Sequence, residues 1–130
     1  MWQNRELLQN FPYLQALQQP VIRELSRNVT LEHLSTRTGP VPLNSFCEEH
    51  GLIFPLGKSI SITDPHRTED FDPQKHPIMC PDDRILVTEA DMQYLFLSAE
   101  RADNILHRIP AFRFFWEEDL GLPIPTEFRI

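Results

Sequence analysis

Twelve prolines divide this chain of 130 residues into short segments. Because proline has no backbone N–H and its ring clashes with the preceding turn, it ends or kinks a helix unless it lies in the first turn. Pro12 therefore predicts a break in the leucine-rich amphipathic helix that starts near Trp2. Pro20 suits the first turn of a second helix over 21–27. The sequence thus predicts a helical segment over residues 1–27.

Short strands are predicted over residues 28–87, where β-branched and apolar residues alternate with polar ones. The runs 52–56 and 58–63 follow each other with a glycine-lysine junction between them, and we interpret them as a β-hairpin. The pattern over 29–34 allows two interpretations. It fits a strand, but Thr30 also fits the cap of a short helical turn.

Residues 88–121 are predicted to form a helical pair. A sequence close to a capping box at 88–91, followed by apolar residues at helical spacing, predicts a helix of about 20 residues. Pro110 separates it from a second helix, which Gly121 ends. The tail, residues 122–130, is predicted to be extended because two prolines interrupt it.

Together these segments predict an α+β fold. N-terminal helices, a small and mainly antiparallel sheet, and a C-terminal helical pair packed on one face of that sheet would form one domain over residues 1–130. Hydrophobic residues make up 41% of the chain, which is enough to bury one real core in a domain of this length.

The charge of the chain is uneven and limits the partners that we expect. Residues 1–46 carry four basic and three acidic side chains, a balance of +1, whereas residues 47–130 carry 8 basic and 16 acidic ones, a balance of −8. An acidic surface repels the phosphate backbone, so nucleic-acid binding is not expected. A basic protein surface is a compatible partner, and plain solubility is the alternative explanation. No apolar run approaches the roughly 18 residues of a membrane helix, and no signal peptide is visible, so we expect a cytoplasmic protein without a membrane partner.

Two cysteines, 33 positions apart, are too few for a disulfide framework, and we expect both to be reduced and buried. They also belong to a possible zinc set, in which Cys47 and His50 form one chelating pair and His76 and Cys80 the other. A domain with enough apolar residues to fold does not need a structural metal. We therefore expect no cofactor, with zinc at these four residues as the alternative.

The segment 64–83 holds four prolines and six acidic residues and is predicted to be a long loop, which in a compact domain is usually functional or disordered. Within it, His66 lies near Asp64 and Glu69, and a carboxylate beside an imidazole can orient a general base. The sequence contains no phosphate-binding loop, dinucleotide glycine pattern or HExxH motif. The alternative function is therefore a small-molecule-binding or catalytic domain that uses His66, His76 and nearby carboxylates.

An aromatic cluster beside acidic residues carries the leading prediction. Phe112, Phe115 and Trp116 share one helical face, and Glu117 and Glu118 follow directly. Exposed aromatic rings with a charged rim are typical of protein–protein hot spots. These five residues predict a small acidic protein-binding or regulatory protein without catalysis of its own, whose partner is another protein, with a basic protein as one candidate, or a second copy of the chain. The alternative is that the first helices cover the rings within one monomer.

Overall fold

The computed structural model describes residues 2–35, 39–46, 50–57, 60–80 and 82–123. Within these residues helices lie at both ends of the chain and two antiparallel sheets lie between them, which confirms the predicted α+β class. The helices are α1 (Trp2–Leu8), α2 (Gln19–Asn28), α3 (Ala99–Arg108) and α4 (Pro110–Phe114). Short 3-10 turns cover Pro12–Leu14 and Leu43–Ser45, and a π-helical turn covers Phe115–Asp119.

Eight short strands form the two sheets. They are β1 (Thr30–Leu34), β2 (Val41–Pro42), β3 (Gly51–Pro55), β4 (Ile60–Thr63), β5 (Thr68–Asp70), β6 (Ile78–Cys80), β7 (Ile85–Thr88) and β8 (Met92–Leu97). The first sheet has the order β1-β8-β3-β6 and the second has the order β2-β7-β4-β5. This alternation of the chain between two four-stranded antiparallel sheets is a jelly roll.

Two apolar cores fill the molecule. The helix-side core packs the helices against one face of the first sheet, and it includes Leu25, Phe54, Leu95, Ile105 and Phe112. The inter-sheet core lies between the sheets and consists mainly of aliphatic side chains. It includes Leu34, Ile53, Ile62, Ile78, Leu86 and Met92. Strands β3 and β8 contribute to both cores, so each has buried side chains on both faces.

The predicted hairpin between 52–56 and 58–63 is wrong. Strand β3 pairs with β6 and β8, whereas β4 pairs with β5 and β7, so the chain passes from one sheet to the other between them. Gly57 lies in this crossing. A Cβ atom there would approach Cγ of Met92 to 2.9 Å, so the glycine permits close packing against β8.

The predicted helix of about 20 residues from Thr88 is also corrected, because Met92–Leu97 is strand β8. Leu95 and Leu97 face the helices while Met92 and Phe96 pack toward the other sheet. A strand that is buried on both faces loses its alternation, and its apolar spacing then imitates a helix. The helix begins instead at Ala99, where the Ser98 hydroxyl caps it by accepting from the Arg101 N–H at 3.3 Å.

The segment 64–83 is not one long loop, because it contains the strands β5 and β6. Both are edge strands, and an edge strand tolerates charged residues and neighbouring prolines since one of its sides needs no partner. The ambiguity at 29–34 is resolved in favour of strand β1.

The helix boundaries follow the prolines. Helix α1 ends at Leu8 before the turn that Pro12 starts, α2 has a proline in its first turn, and α4 begins at Pro110. Gly121 has a φ of 68°, the left-handed conformation expected after the last helical turn. Beyond 123 the predicted tail lies outside the described residues. In the described part of the chain, no helix is long and apolar enough to cross a bilayer.

Candidate functional site

A cavity of about 210 Å³ lies where β4, β5 and β6 meet the segments on either side of β6, and we call it the charged cleft. Its apolar lining consists of Ile62, Phe71, Pro77, Ile78 and Met79. Its polar lining consists of Glu69, Asp70, Asp72, Lys75, Asp82 and Arg84, together with His76. Ile62 and Ile78 also belong to the inter-sheet core, so the cleft is the open end of that core.

The turn between β4 and β5 joins two strands that line the cleft, and its own residues 64–67 are not part of the lining. The Asp64 carboxylate accepts the backbone N–H groups of His66 at 2.7 Å and Arg67 at 2.9 Å, which closes the turn. These backbone hydrogen bonds hold the pKa of Asp64 below its usual value. Asp64 thus binds the backbone of His66. Glu69 lies at the β5 side of the turn, where it pairs with Arg67 at 2.5 Å. Asp64, His66 and Glu69, the three residues of the predicted general-base site, therefore have separate partners or positions.

Asp82 and Arg84 form the most extensive charged contact of the cleft. The Arg84 guanidinium donates through Nε to Asp82 Oδ1 at 2.9 Å and through Nη2 to Oδ2 at 2.8 Å. The backbone N–H of Arg84 also donates to Asp82 Oδ1 at 2.8 Å. These bonds lower the pKa of Asp82 and raise the pKa of Arg84, so both groups are charged at neutral pH.

The segment after β5 forms the outer wall of the cleft. The Asp72 carboxylate accepts the Gln74 backbone N–H at 3.0 Å, and the Lys75 backbone N–H reaches the Asp72 carbonyl at 3.2 Å. His76 lies edge-on to Phe71 with 5.0 Å between ring centroids, and its Nδ1 is 2.9 Å from the Pro77 carbonyl. Since a carbonyl only accepts, Nδ1 carries the proton, which leaves Nε2 of a neutral imidazole as an acceptor.

Two charged side chains of the cleft are unpaired. Within the described residues, neither the Asp70 carboxylate nor the Lys75 ammonium has a hydrogen bond or an ion pair. Both side chains are exposed at the mouth of the cleft. These two groups are therefore available to a ligand without first breaking an internal contact.

A second and larger cavity, of about 650 Å³, adjoins the charged cleft. Leu7, Asn10 and Phe11 line it on the helical side, and Pro55, Leu56 and Gly57 line it on the sheet side. Phe71 and Asp72 line both cavities, so the segment after β5 is a wall that they share. We call this second space the apolar cavity.

Cys80 is fully buried at the end of β6 and takes part in a disulfide, which corrects the expectation that both cysteines are reduced. The other cysteine, Cys47, lies outside the described residues. His76 lines the charged cleft, and His50 is exposed just before β3. Among the described residues, no group of three or more potential ligands is arranged to hold a metal ion. The zinc set needs the Cys80 thiolate, which this disulfide removes, so it would form only in the reduced chain; it also includes Cys47 and stays a prediction.

The predicted docking rings are buried within one copy of the chain. The exposed fractions are 0% for Phe112, 2% for Phe115 and 2% for Trp116, and the Trp116 indole N–H donates to the Pro123 carbonyl at 3.1 Å. All three rings pack in the helix-side core with the N-terminal helices, as the alternative interpretation had it. Glu117 and Glu118 are exposed, and Phe114 is the ring that faces outward, with 64% exposed.

Sequence comparison finds no relative, since no family model and no curated protein matches the chain. Solved structures do match. A mutant of CooA from Carboxydothermus hydrogenoformans is 12% identical with a TM-score of 0.54, over 88% of this chain and 78% of that one. The N-terminal domain of a transcriptional regulator from Streptomyces coelicolor A3(2) is 15% identical with a TM-score of 0.59, over 88% and 87%. PKAR CBD2 with bound Sp-2Cl-cAMPS is 10% identical with a TM-score of 0.58, over 95% of both chains.

The likeness is one of fold. At these identities it shows the fold alone and no shared site. Together with the burial of the aromatic rings, it contradicts the leading prediction of a protein-binding chain that docks through Phe112, Phe115 and Trp116. The alternative, a small-molecule-binding domain that uses the 64–83 segment, has the better support.

Sequence reasoning found the segment that carries the cleft and named His76 and Glu69 within it. It missed Asp82 and Arg84 as a pair. Their spacing was visible, because an acid two residues before an arginine at the start of a strand lets the carboxylate reach both the backbone N–H and the guanidinium. Nothing in the sequence showed that Ile62 would close the floor of the cleft, since this depends on how the sheets pair.

Proposed function

We propose that this chain is a small-molecule-binding regulatory domain whose ligand occupies the charged cleft. The observation that carries the proposal is a cavity at the open end of the inter-sheet core, in which an apolar floor meets converging polar side chains. The fold neighbours support it, since one of them is described with bound Sp-2Cl-cAMPS and another as a transcriptional regulator.

The size of the cleft limits the ligand. A volume of 210 Å³ corresponds to about seven water molecules at liquid density, which suits a small metabolite or one part of a larger one. The apolar floor of Ile62, Ile78 and Met79 would bury the hydrophobic part of such a molecule. The unpaired Asp70 and Lys75 at the mouth, and Nε2 of His76, would fix its polar groups.

The wall that the two cavities share would connect ligand binding to the helices. Phe71 and Asp72 face the charged cleft on one side and the apolar cavity on the other. Across the apolar cavity lie Leu7 and Phe11, which belong to the N-terminal helical segment and pack in the helix-side core. A ligand that moves the wall would therefore change the packing of α1. In this way ligand binding in the charged cleft would alter the conformation of the N-terminal helices.

A thermal-shift screen of a metabolite library tests the proposal on the purified chain. We expect at least one small molecule to raise the melting temperature. The shift should fall by more than half in His76→Ala, because this variant removes the acceptor beside Phe71. The matched control is His66→Ala, since His66 is an exposed histidine of the β4–β5 turn that does not line the cleft.

A second pair of variants separates the contribution of charge from that of shape. Asp70→Asn removes the unpaired carboxylate of the cleft, and Glu89→Gln removes an exposed carboxylate outside its lining. We expect only Asp70→Asn to change the affinity for a hit. A hit that binds equally well to all four variants would place the ligand elsewhere, and a broad library without any hit would count against the proposal as a whole.

A further inference from the structure

Arg84 is the arginine of the charged cleft, and its position would suit the recognition of an anion. Arginine recognises phosphate and carboxylate groups through two parallel N–H bonds, and the edge formed by Nε and Nη2 is one of the two edges that can do so. In this chain a carboxylate already lies against that edge. Asp82 accepts from Nε at 2.9 Å and from Nη2 at 2.8 Å.

We propose that Asp82 acts as a specificity-determining residue that occupies the anion-binding edge of Arg84, so that the cleft excludes phosphate-bearing ligands and takes uncharged or cationic ones. This inference rests on the proposed function, because it names the ligand class of the same cleft. It separates this chain from the fold neighbour that is described with bound Sp-2Cl-cAMPS.

The geometry explains why Asp82 is hard to displace. The Arg84 backbone N–H also binds the Asp82 carboxylate, and only one residue separates the two. A ligand anion must lose translational freedom to bind, whereas Asp82 is already held beside Arg84 by the chain. An intramolecular carboxylate therefore competes with an external anion at a high effective concentration.

The charges around the pair act in the same direction. Glu69 and Asp64 both lie close enough to Arg84 to stabilise its cationic form. Asp82, Glu69 and Asp64 thus supply three carboxylates around Arg84, and Arg67, which pairs with Glu69, is the other cation of this group. Over the described lining of the cleft, four carboxylates face two cations, a balance of −2. Lys75 is the second cation, but it is exposed, and water screens its attraction for an anion.

Removal of Asp82 should create the anion site that the wild-type chain lacks. Isothermal titration with two probes, cAMP and inorganic phosphate, tests this. We expect no measurable binding of either to the wild-type chain at millimolar concentration. In Asp82→Ala we expect at least one probe to bind with an affinity about tenfold or more above the detection limit of the wild-type titration, the gain that a hydrogen bond to a charged group gives. The double variant Asp82→Ala, Arg84→Ala should lose this gain.

The matched control is Asp83→Ala. Asp83 is an exposed neighbour that does not line the cleft, and its removal changes the net charge by the same amount. Equal gains in both variants would mean that overall charge sets the effect, which overturns the role of Asp82. Asp82→Asn removes the charge with little change in shape, and it takes the place of Asp82→Ala if thermal melting shows that the alanine variant does not fold.

The outcomes separate this inference from the proposed function. Binding of cAMP or phosphate to the wild-type chain, at the affinity of Asp82→Ala, would overturn the inference and support small-molecule binding in the cleft. A gain in Asp82→Ala with no hit in the metabolite screen would support the inference and count against the function. Within that screen, hits concentrated among anionic metabolites would also contradict the assigned ligand class.

Discussion

The helix-side core and the inter-sheet core share strands β3 and β8 but differ in what closes them. Large rings seal the helix-side core, among them Phe11, Phe54, Phe112 and Trp116. The inter-sheet core has aliphatic side chains at its centre and ends at two edge strands with charged neighbours, where the charged cleft opens. The rings of the helix-side core therefore serve stability, and the proposed ligand site lies at the open end of the other core.

The greatest loss of stability is expected from truncation of a ring in the helix-side core. Phe112→Ala should lower the free energy of unfolding by about 3–5 kcal/mol, because the ring is fully buried and its loss leaves a cavity. Phe114→Ala is the matched control, since that ring is mostly exposed and its removal should change stability by about 0.5 kcal/mol or less. Urea denaturation measures both. A larger loss in Phe114→Ala would mean that this ring, too, has a structural role.

Truncation of a side chain in the inter-sheet core should lower the free energy of unfolding somewhat less. Ile53→Ala removes a fully buried aliphatic side chain from β3 and should cost about 2–5 kcal/mol, with fewer atoms lost than in Phe112→Ala. Because β3 and β8 contribute to both cores, we expect one calorimetric transition that moves in both variants, which also tests the predicted single domain over 1–130. Two transitions that move separately would contradict it.

A smaller effect of the opposite sign is expected at Tyr13. Its ring stacks against Phe54, and in the described structure its buried hydroxyl has no hydrogen-bond partner. Burial raises the pKa of Tyr13, so the phenol remains protonated. Tyr13→Phe removes the unsatisfied group and should stabilise the chain by about 1 kcal/mol or less in urea denaturation. A clear loss of stability would show that the hydroxyl has a partner.

The smallest effect is local and depends on pH. The pKa of Asp64 lies below the usual 3.8 in the folded chain, because the N–H groups of His66 and Arg67 bind its charged form. The contribution of Asp64 to the stability of the folded chain is therefore complete above the pKa that this carboxyl has in the unfolded chain. It is lost as the pH falls through the lowered pKa of the folded chain. NMR titration should show the His66 and Arg67 amide signals change below pH 3.8 in the wild-type chain, while the Phe112 signal remains constant. In Asp64→Asn the same two amide signals should show no such transition.

The sequence predicted the elements whose signals are local. Pro12, Pro110 and Gly121 mark helix boundaries through backbone geometry alone, and the structure confirms them. It did not predict β8, because a strand with apolar side chains on both faces has no alternation to read. The hairpin prediction failed because strand pairing depends on distant parts of the chain: β3 pairs with β6 and β8, whereas β4 pairs with β5 and β7.

The candidate site was predictable only where local composition indicates it, and not where it depends on packing between distant residues. The acidic, proline-rich composition of 64–83 predicted a long loop that is either functional or disordered, and the cleft lies against this segment. The aromatic cluster was misread because helical spacing shows that rings share a face and does not show what covers that face. Its cover, the N-terminal segment with Leu8 and Phe11, lies about a hundred residues away and depends on how the helices pack on the first sheet.

Strands β3 and β8 pack against other elements on both faces, and this restricts where the chain can gain or lose a residue. Deletion of one residue within either strand would exchange its two faces. Side chains that now meet the second sheet would face the helices, and those that now face the helices would meet the second sheet. The loss of one residue would therefore disrupt both the helix-side core and the inter-sheet core. The connection between β5 and β6 has no strand register to preserve, so a change in its length would alter the wall that the two cavities share without shifting β3 or β8.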